Sequence, residues 1–263
     1  KIAFEFEELK IESFFKNMKI MVDDGINVPM TEKGNGMQRS VALALIQVYA
    51  EMIAYDSDLN LTKPFYLFID EPEICLHPKG QNKLFDALLK ISKHKQVFVT
   101  THSPYFLSSP YLKNIGLYIF KKSDHKNNIE AARLNYLFPW SPTWGELNFK
   151  AYDLPTIDLH NELYGFLQES SEQASLKKFD DWLVVNGANK NKNWSKEING
   201  KLITEAVTLM TFVRNHIHHP ENLIMKSNSY NFDELSNSIN QMISLIEKLK
   251  ESNVMEPVDF IRA

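Results

Sequence analysis

Residues 65–78 read Phe-Tyr-Leu-Phe-Ile-Asp-Glu-Pro-Glu-Ile-Cys-Leu-His-Pro and residues 97–104 read Val-Phe-Val-Thr-Thr-His-Ser-Pro, and these two segments constrain the fold more than any other part of the chain. The five apolar residues from Phe65 to Ile69 are too few for a membrane span. They are also too uniformly apolar for a strand with one face in water, so they predict a buried strand of a parallel sheet. Asp70 and Glu71 then emerge at its carboxyl end. The second segment, Gln96 to Thr101, is again strand-like and delivers His102 to the same edge of the sheet. In sheets that hydrolyse phosphate anhydrides, the first carboxylate at such an edge holds magnesium, directly or through water, and the second orients the attacking water. An imidazole there reaches the terminal phosphate or that water. Taken singly, each signal has a plainer reading: Asp-Glu as an ordinary strand end, and His102 as a loop histidine bonded to backbone. Two strands that end in matching chemistry at one edge point to one site.

A third element precedes both. Lys33-Gly34-Asn35-Gly36-Met37-Gln38-Arg39-Ser40 opens an apolar-rich segment, 41–55, expected to be a long helix. Glycines let backbone approach an anion, and a helix start offers unpaired N–H groups and the positive end of a dipole. Gly-x-Gly alone equally suits a turn. With the Asp-Glu strand downstream, Gly34-Asn35-Gly36-Met37-Gln38 resembles the signature loop of ABC-type ATPases, residues 65–71 resemble their Walker B strand, and His102 resembles their switch histidine. Asp-Glu-Pro-Glu-x-x-Leu-His-Pro followed by Thr-His-Ser-Pro is similar to the SMC, RecF and OLD-like branch. Within it, the chain resembles the ATPases of Septu-type and retron-associated bacterial defence operons. The resemblance covers roughly the first 120 residues, by the span of its motifs.

That resemblance implies ATP and Mg2+ as cofactors, with Asp70 on magnesium and Glu71 and His102 in catalysis. It further implies that two heads sandwich nucleotide head to tail. Asn35, Gly36 and Gln38 would then act in trans on the partner's nucleotide, and residues 72–76 would lie along the seam. Asn35 stands where many members have serine, which keeps a short hydrogen-bonding side chain. Glu73 either serves the site or faces solvent. One departure is large: no Gly-x-x-x-x-Gly-Lys-Ser/Thr string occurs in the 263 residues, so the phosphate-cradling loop is absent from them. The chain also begins at Lys1 without an initiator Met, with Ile2, Phe4 and Phe6 alternating like a strand under way. The expectation is the carboxyl-terminal part of a longer protein whose first lobe holds the phosphate loop. By themselves these residues are expected not to hydrolyse ATP.

A net charge of −4 argues against a domain coated in phosphate-binding cations but leaves room for a local basic patch. The single cysteine, Cys75, forms no internal disulfide, which suits a reducing bacterial cytoplasm, and its plainer role is that of a small hydrophobe. No apolar run approaches the roughly 20 residues of a membrane helix. Residues 1–32 read as strands and a turn at Asp24-Gly25, residues 79–93 as a helix, and residues 117–120 as a strand. A polar loop, 121–128, and an aromatic, proline-broken connector, 138–145, follow. Trp140, Trp144 and Phe149 there suit base stacking, a protein partner, or packing of the connector itself.

Beyond the connector the periodicity turns helical. Leu159, Leu163, Phe166 and Leu167 form one stripe, and Leu176, Phe179 and Leu183 a second that Asn186-Gly187 ends. Leu202, Leu209, Val213 and Ile217 form a third, and Leu235, Ile239, Met242, Ile246 and Leu249 a fourth. The expected architecture is therefore α/β: the carboxyl-terminal part of an ABC-type head in residues 1–135, followed by a small all-helical domain in 136–263. Residues 189–193 are expected to form an exposed loop between its second and third helices.

The third stripe ends in Phe-Val-Arg-Asn-His-Ile-His-His-Pro, residues 212–220. Arg214-Asn215-x-x-x-His219 resembles the R-x(4–6)-H motif of HEPN ribonucleases, small helical domains that cleave RNA without metal through its own 2′-hydroxyl. Histidine titrates near neutrality and arginine steadies charge on phosphate, which suits that work. Arg214 and His219 lie about 140° apart on an ideal helix and share a face only if its end is distorted, and Pro220 disfavours helical geometry at His219. Cations near a helix carboxyl end also simply complement its dipole. Metal ligation by His216, His218 and His219 lacks a cysteine to complete it. His160, Asn161 and Glu162 either add polar groups beside this string or face solvent.

Three functions remain open at this point. The chain is an ATP-driven sensor or scaffold that controls a separate nuclease in an antiphage complex, an ATP-gated HEPN-like ribonuclease, or an SMC- or RecF-like DNA repair ATPase. Its expected partners are a homo-oligomer of head-to-tail dimers, an effector protein and nucleic acid, with no membrane.

Overall fold

The computed structural model describes residues 19–55, 66–93, 95–107, 110–123 and 126–251. The expected strand at Ile2, Phe4 and Phe6 lies outside them. The chain divides into two compact units, 1–109 and 110–263.

The described part of the first unit begins with a hairpin of β1 (Met21–Asp23) and β2 (Asn27–Pro29). Its turn is held by the Gly25 N–H donating to Asp23 Oδ1 at 3.0 Å, and Gly25 takes a φ of 112° that a side chain would oppose. Helix α1 spans Asn35–Tyr55. It starts before the expected residue 41, so the signature residues form its first turn rather than a loop ahead of it. β3 (Tyr66–Asp70) leads through α2 (Pro78–Ser92) to β4 (Gln96–Thr100), and the two strands pair in parallel with Asp70 opposite Thr100.

His77 caps α2 by accepting the Lys79 N–H on Nδ1 at 3.3 Å, and Pro78 sits at the first helical position, where a missing N–H costs nothing. Leu84, Phe85, Leu88 and Ile91 form the buried face of α2, with Phe85 edge-on to Phe106 at 5.2 Å. The parallel pairing agrees with the sequence, but burial on both faces does not. Phe68 is 72% exposed and stacks on Phe98 at 4.8 Å, and Tyr66 is exposed beside them. Alternation puts Tyr66, Phe68 and Asp70 on one face, and no described element covers it.

In the second unit β5 (Tyr118–Ser123) and β6 (Lys126–Ala131) form an antiparallel hairpin. The expected loop 121–128 is thus largely strand. Its lysines and asparagines are exposed, where a two-stranded ribbon tolerates polar residues, and Lys121 pairs with Glu130 at 3.3 Å. Helices α3 (Trp144–Tyr152), α4 (Ile157–Ser170), α5 (Leu176–Val185), α6 (Leu209–His218) and α7 (Phe232–Glu251) follow. The first four are capped by Thr143, Thr156, Ser175 and Thr208, whose hydroxyls accept backbone N–H groups of the first turn. Leu159 and Leu163 of α4, Phe179 of α5, Val213 of α6 and Ile239 and Ile246 of α7 are fully buried in one core.

The all-helical expectation is corrected here. Between α5 and α6 runs a hairpin of β7 (Lys192–Ile198) and β8 (Lys201–Val207), with Ile198 opposite Lys201. Asn199 and Gly200 make its two-residue turn with φ of 51° and 75°, the pair of left-handed residues that such a turn demands. Leu202 therefore sits on a strand, 65% exposed, and the helix begins only at Leu209. The expected loop 189–193 ends at Asn191, with Lys192 and Asn193 already in β7. No helix among the described residues is long and apolar enough to cross a membrane.

Candidate functional site

In the first unit the parallel register brings Asp70, Glu71 and His102 to one edge. The Thr100 hydroxyl donates to Asp70 Oδ1, and the Glu71 N–H reaches Thr100 O at 3.1 Å and Thr100 Oγ1 at 3.2 Å. Glu71 takes a left-handed φ of 43°, an uncommon state for a side-chain-bearing residue that its neighbours must hold in place. Its Oε1 lies 3.3 Å from His102 Nε2, and the imidazole is largely exposed. A carboxylate and an imidazole side by side at the open end of parallel strands suit work on a water molecule or a phosphate.

The signature residues lie close to the loop that follows β3. Arg39 Nη1 donates to Glu71 O at 2.9 Å, and a Cβ on Gly36 would stand 3.0 Å from Cys75 O. Any larger residue at Gly36 would therefore press on that carbonyl. Asn35 is exposed, whereas Gln38 spends its amide nitrogen on the carbonyls of Lys33 at 2.7 Å and Thr31 at 3.3 Å, folding the segment before the helix. Cys75 has a φ of 65° and is exposed rather than a buried hydrophobe.

Glu73 faces inward, only 5% exposed, so the solvent-facing alternative does not hold. Its Oε1 accepts the Thr101 hydroxyl at 2.5 Å and the His102 N–H at 3.1 Å. No periodicity or composition signal reveals such a contact, because it joins residues nearly thirty positions apart.

The second unit carries its own polar cluster. Helix α6 ends at His218, and His219 leaves helical geometry with φ −128° and ψ 56°, the distortion expected before Pro220. Arg214 Nη1 donates to Asn215 Oδ1 at 3.3 Å. His218 Nε2 lies 3.2 Å from Asn161 Oδ1, and His219 Nδ1 lies 3.2 Å from Glu221 Oε1. Partial burial holds His218 below the usual histidine range, and the charges of Arg214 and His219 depress it further, so both of those residues lie within electrostatic reach of it.

His160 is fully buried rather than on the helix surface. Its Nε2 lies 2.9 Å from Ser238 Oγ, and burial, with a smaller effect of His218, pushes its pKa down to about 3. Glu162 instead accepts from Thr143 at 2.7 Å. Phe149 is part of the core and serves packing, whereas Trp140 stacks on Phe138 at 5.1 Å and meets Phe166 edge-on at 5.5 Å while remaining 42% exposed. His216 is likewise packed, edge-on to Trp194 at 5.0 Å, and among the described residues no cluster of three or more His, Cys, Asp or Glu is arranged to hold a metal.

Comparison with known proteins bears on the amino-terminal residues of the chain. Residues 1–107 match the AAA ATPase domain family. Over 119 residues, 43% of this chain, the sequence is 31% identical to the Old nuclease of Escherichia phage P2, and the match spans 20% of that protein. The resemblance of the amino-terminal motifs to OLD-like ATPases is thus supported, and Asp70, Glu71 and His102 fall within residues 1–107.

Proposed function

We propose that the first unit is the Walker B, signature and switch-histidine half of an ABC-type ATPase head, and that the protein is an ATP-driven subunit of a bacterial antiphage complex of Septu or retron type. The observation that carries the ATPase reading is the parallel pair β3–β4, which sets Glu71 and His102 side by side at 3.3 Å next to Asp70. Glu71 orients and deprotonates the water that attacks the terminal phosphate, and His102 steadies that water or the phosphate. Asp70 is exposed at the edge, and a single carboxylate that leaves other positions to water and phosphate oxygens suits Mg2+. Bound there with ATP, the ion would neutralise charge on the phosphates. Such a site also needs a phosphate-cradling loop, and no Gly-x-x-x-x-Gly-Lys-Ser/Thr string occurs in these 263 residues.

In this reading two heads close head to tail over nucleotide, with Asn35, Gly36 and Gln38 facing the partner's ATP, and hydrolysis reopens them. The head occupies residues 1–135, and residues 136–263 carry or recruit a nuclease effector in the cytoplasm. Asn35→Arg tests the in-trans assignment: the intact protein should still bind one ATP per head but lose ATP-dependent dimerisation in light scattering. Dimerisation equal to wild type would remove Asn35 from the seam.

A second reading is favoured by one observation, the departure of His219 from helical geometry at the end of α6, the distortion that a face shared by Arg214 and His219 requires. With Asn215 it makes the helical domain a HEPN-like ribonuclease, activated when the heads dimerise. His219→Ala in the intact protein is expected to abolish ATP-dependent cleavage of RNA, tRNA included, while ATP turnover is unchanged. Equal cleavage by mutant and wild type would leave the domain as a docking platform.

A further inference from the structure

We propose that Glu73 is a positioning residue for hydrolysis, setting His102 against Glu71; the inference rests on the ATPase reading of this edge. Glu73 sits in the loop 71–76, which enters and leaves through left-handed residues, Glu71 at φ 43° and Cys75 at φ 65°. One side of that loop is held by α1 through the Arg39 bond to Glu71 O, and Gly36 leaves room there for Cys75 O, which a Cβ would meet at 3.0 Å. The other side grips the strand end that bears His102. Glu73 Oε1 accepts both the Thr101 hydroxyl and the His102 N–H, and Thr101 Oγ1 in turn accepts the Ser103 N–H at 3.0 Å. Gln81 completes the clasp, taking the Ser103 hydroxyl on Oε1 at 2.5 Å and donating to Leu76 O at 3.1 Å.

Residues 101–103 are thereby tied at three consecutive positions, Thr101 by its hydroxyl and His102 by its N–H to Glu73 of the loop that carries Glu71, and Ser103 by its hydroxyl to Gln81 of α2. Since the His102 imidazole is itself largely exposed, packing does not aim it, and its place beside Glu71 depends on this backbone anchor. Glu73 is also an expensive way to hold a loop. Its second oxygen, Oε2, is buried without a hydrogen-bond partner among the described residues, a cost that a purely structural contact would avoid. The loop joins the signature helix to the switch histidine within one head, so a displacement at the start of α1 reaches His102 through Glu73.

The test is ATP turnover by the intact protein carrying Glu73→Ala, Glu73→Gln, His102→Ala and the double variant Glu73→Ala/His102→Ala. Glu73→Ala should lower kcat by on the order of ten- to a hundredfold with KM for ATP changed less than about threefold, because aim and not nucleotide affinity is lost. Glu73→Gln keeps an oxygen that accepts both donors and should recover most of the rate. The double variant should be no slower than His102→Ala alone, since the two residues act as one unit. Wild-type turnover in Glu73→Ala, or losses that multiply in the double variant, would overturn the proposal.

Amide exchange in the peptide spanning 100–103 gives a readout independent of turnover. Faster exchange in Glu73→Ala than in Glu73→Gln supports the anchor, and equal exchange in wild type and Glu73→Ala refutes it. Should Glu73→Ala fail to fold, Glu73→Asp, which withdraws the carboxylate by one methylene and keeps its charge, must show the same kcat loss. A wild-type protein that does not hydrolyse ATP would sink the ATPase reading alone, and exchange would still decide the role of Glu73.

Discussion

Glu71→Gln in the intact protein should slow ATP hydrolysis by about 100-fold or more while leaving ATP binding within about threefold of wild type. The substitution keeps size and the backbone bonds that fix the residue, including the Arg39 bond to its carbonyl and the Thr100 bonds to its N–H. What it removes is the carboxylate beside His102, and with it the group that polarises water. Binding should survive because Asp70, one residue back and anchored separately by the Thr100 hydroxyl, keeps its place. Presteady-state phosphate release and equilibrium binding of a fluorescent ATP analogue separate the two effects. Unchanged turnover would remove Glu71 from catalysis.

Acid should destabilise the second unit, and His160 should account for part of the slope. Its folded pKa of about 3 lies below the ordinary 6.5, because burial against Ser238 and near His218 disfavours the imidazolium. Unfolded chain takes up the proton first as pH falls through 6.5, so the contribution of the neutral imidazole is fully present above 6.5 and is lost on acidification towards 3. The expected loss is about 1.4 kcal/mol per pH unit in that window, or roughly 2 kcal/mol at pH 5. Thermal unfolding followed between pH 7.5 and 5 checks this, with His160→Asn as the control whose slope should be shallower by that amount. Identical slopes would show that His160 is not held neutral in the fold.

The parts of the fold that were legible in the sequence are those written in short apolar runs with chemistry at their ends. Phe65 to Ile69 and Val97 to Thr100 announced parallel strands, and Asp70, Glu71 and His102 fell at one edge because a strand that ends in a charged pair must end at an edge. What lay between them was not legible. The clasp of Glu73 on Thr101 and His102 is a contact across nearly thirty residues, set by how the loop 71–76 turns, and no periodicity encodes it.

The β7–β8 hairpin is masked in the sequence by helical spacing. Leu202 stands seven residues before Leu209, two helical turns, so it fell into phase with a real helix. The Asn199-Gly200 pair that breaks that helix was the stronger local signal, and Ile203 and Thr204 beside it favour strand. A polar residue next to Leu159 reads as the wet side of a helix, yet His160 is fully buried. Only the packed bundle shows that Ser238 of α7 meets it there.

The measurement that most directly tests the account is phosphate release by the intact wild-type protein as ATP and Mg2+ are titrated, with Asp70→Ala alongside. Release should saturate with ATP, require Mg2+ and be lost in Asp70→Ala. No release by a folded protein that binds ATP, or release indifferent to Mg2+ and to Asp70, would contradict the assignment of this edge as the hydrolytic half of an ATP site.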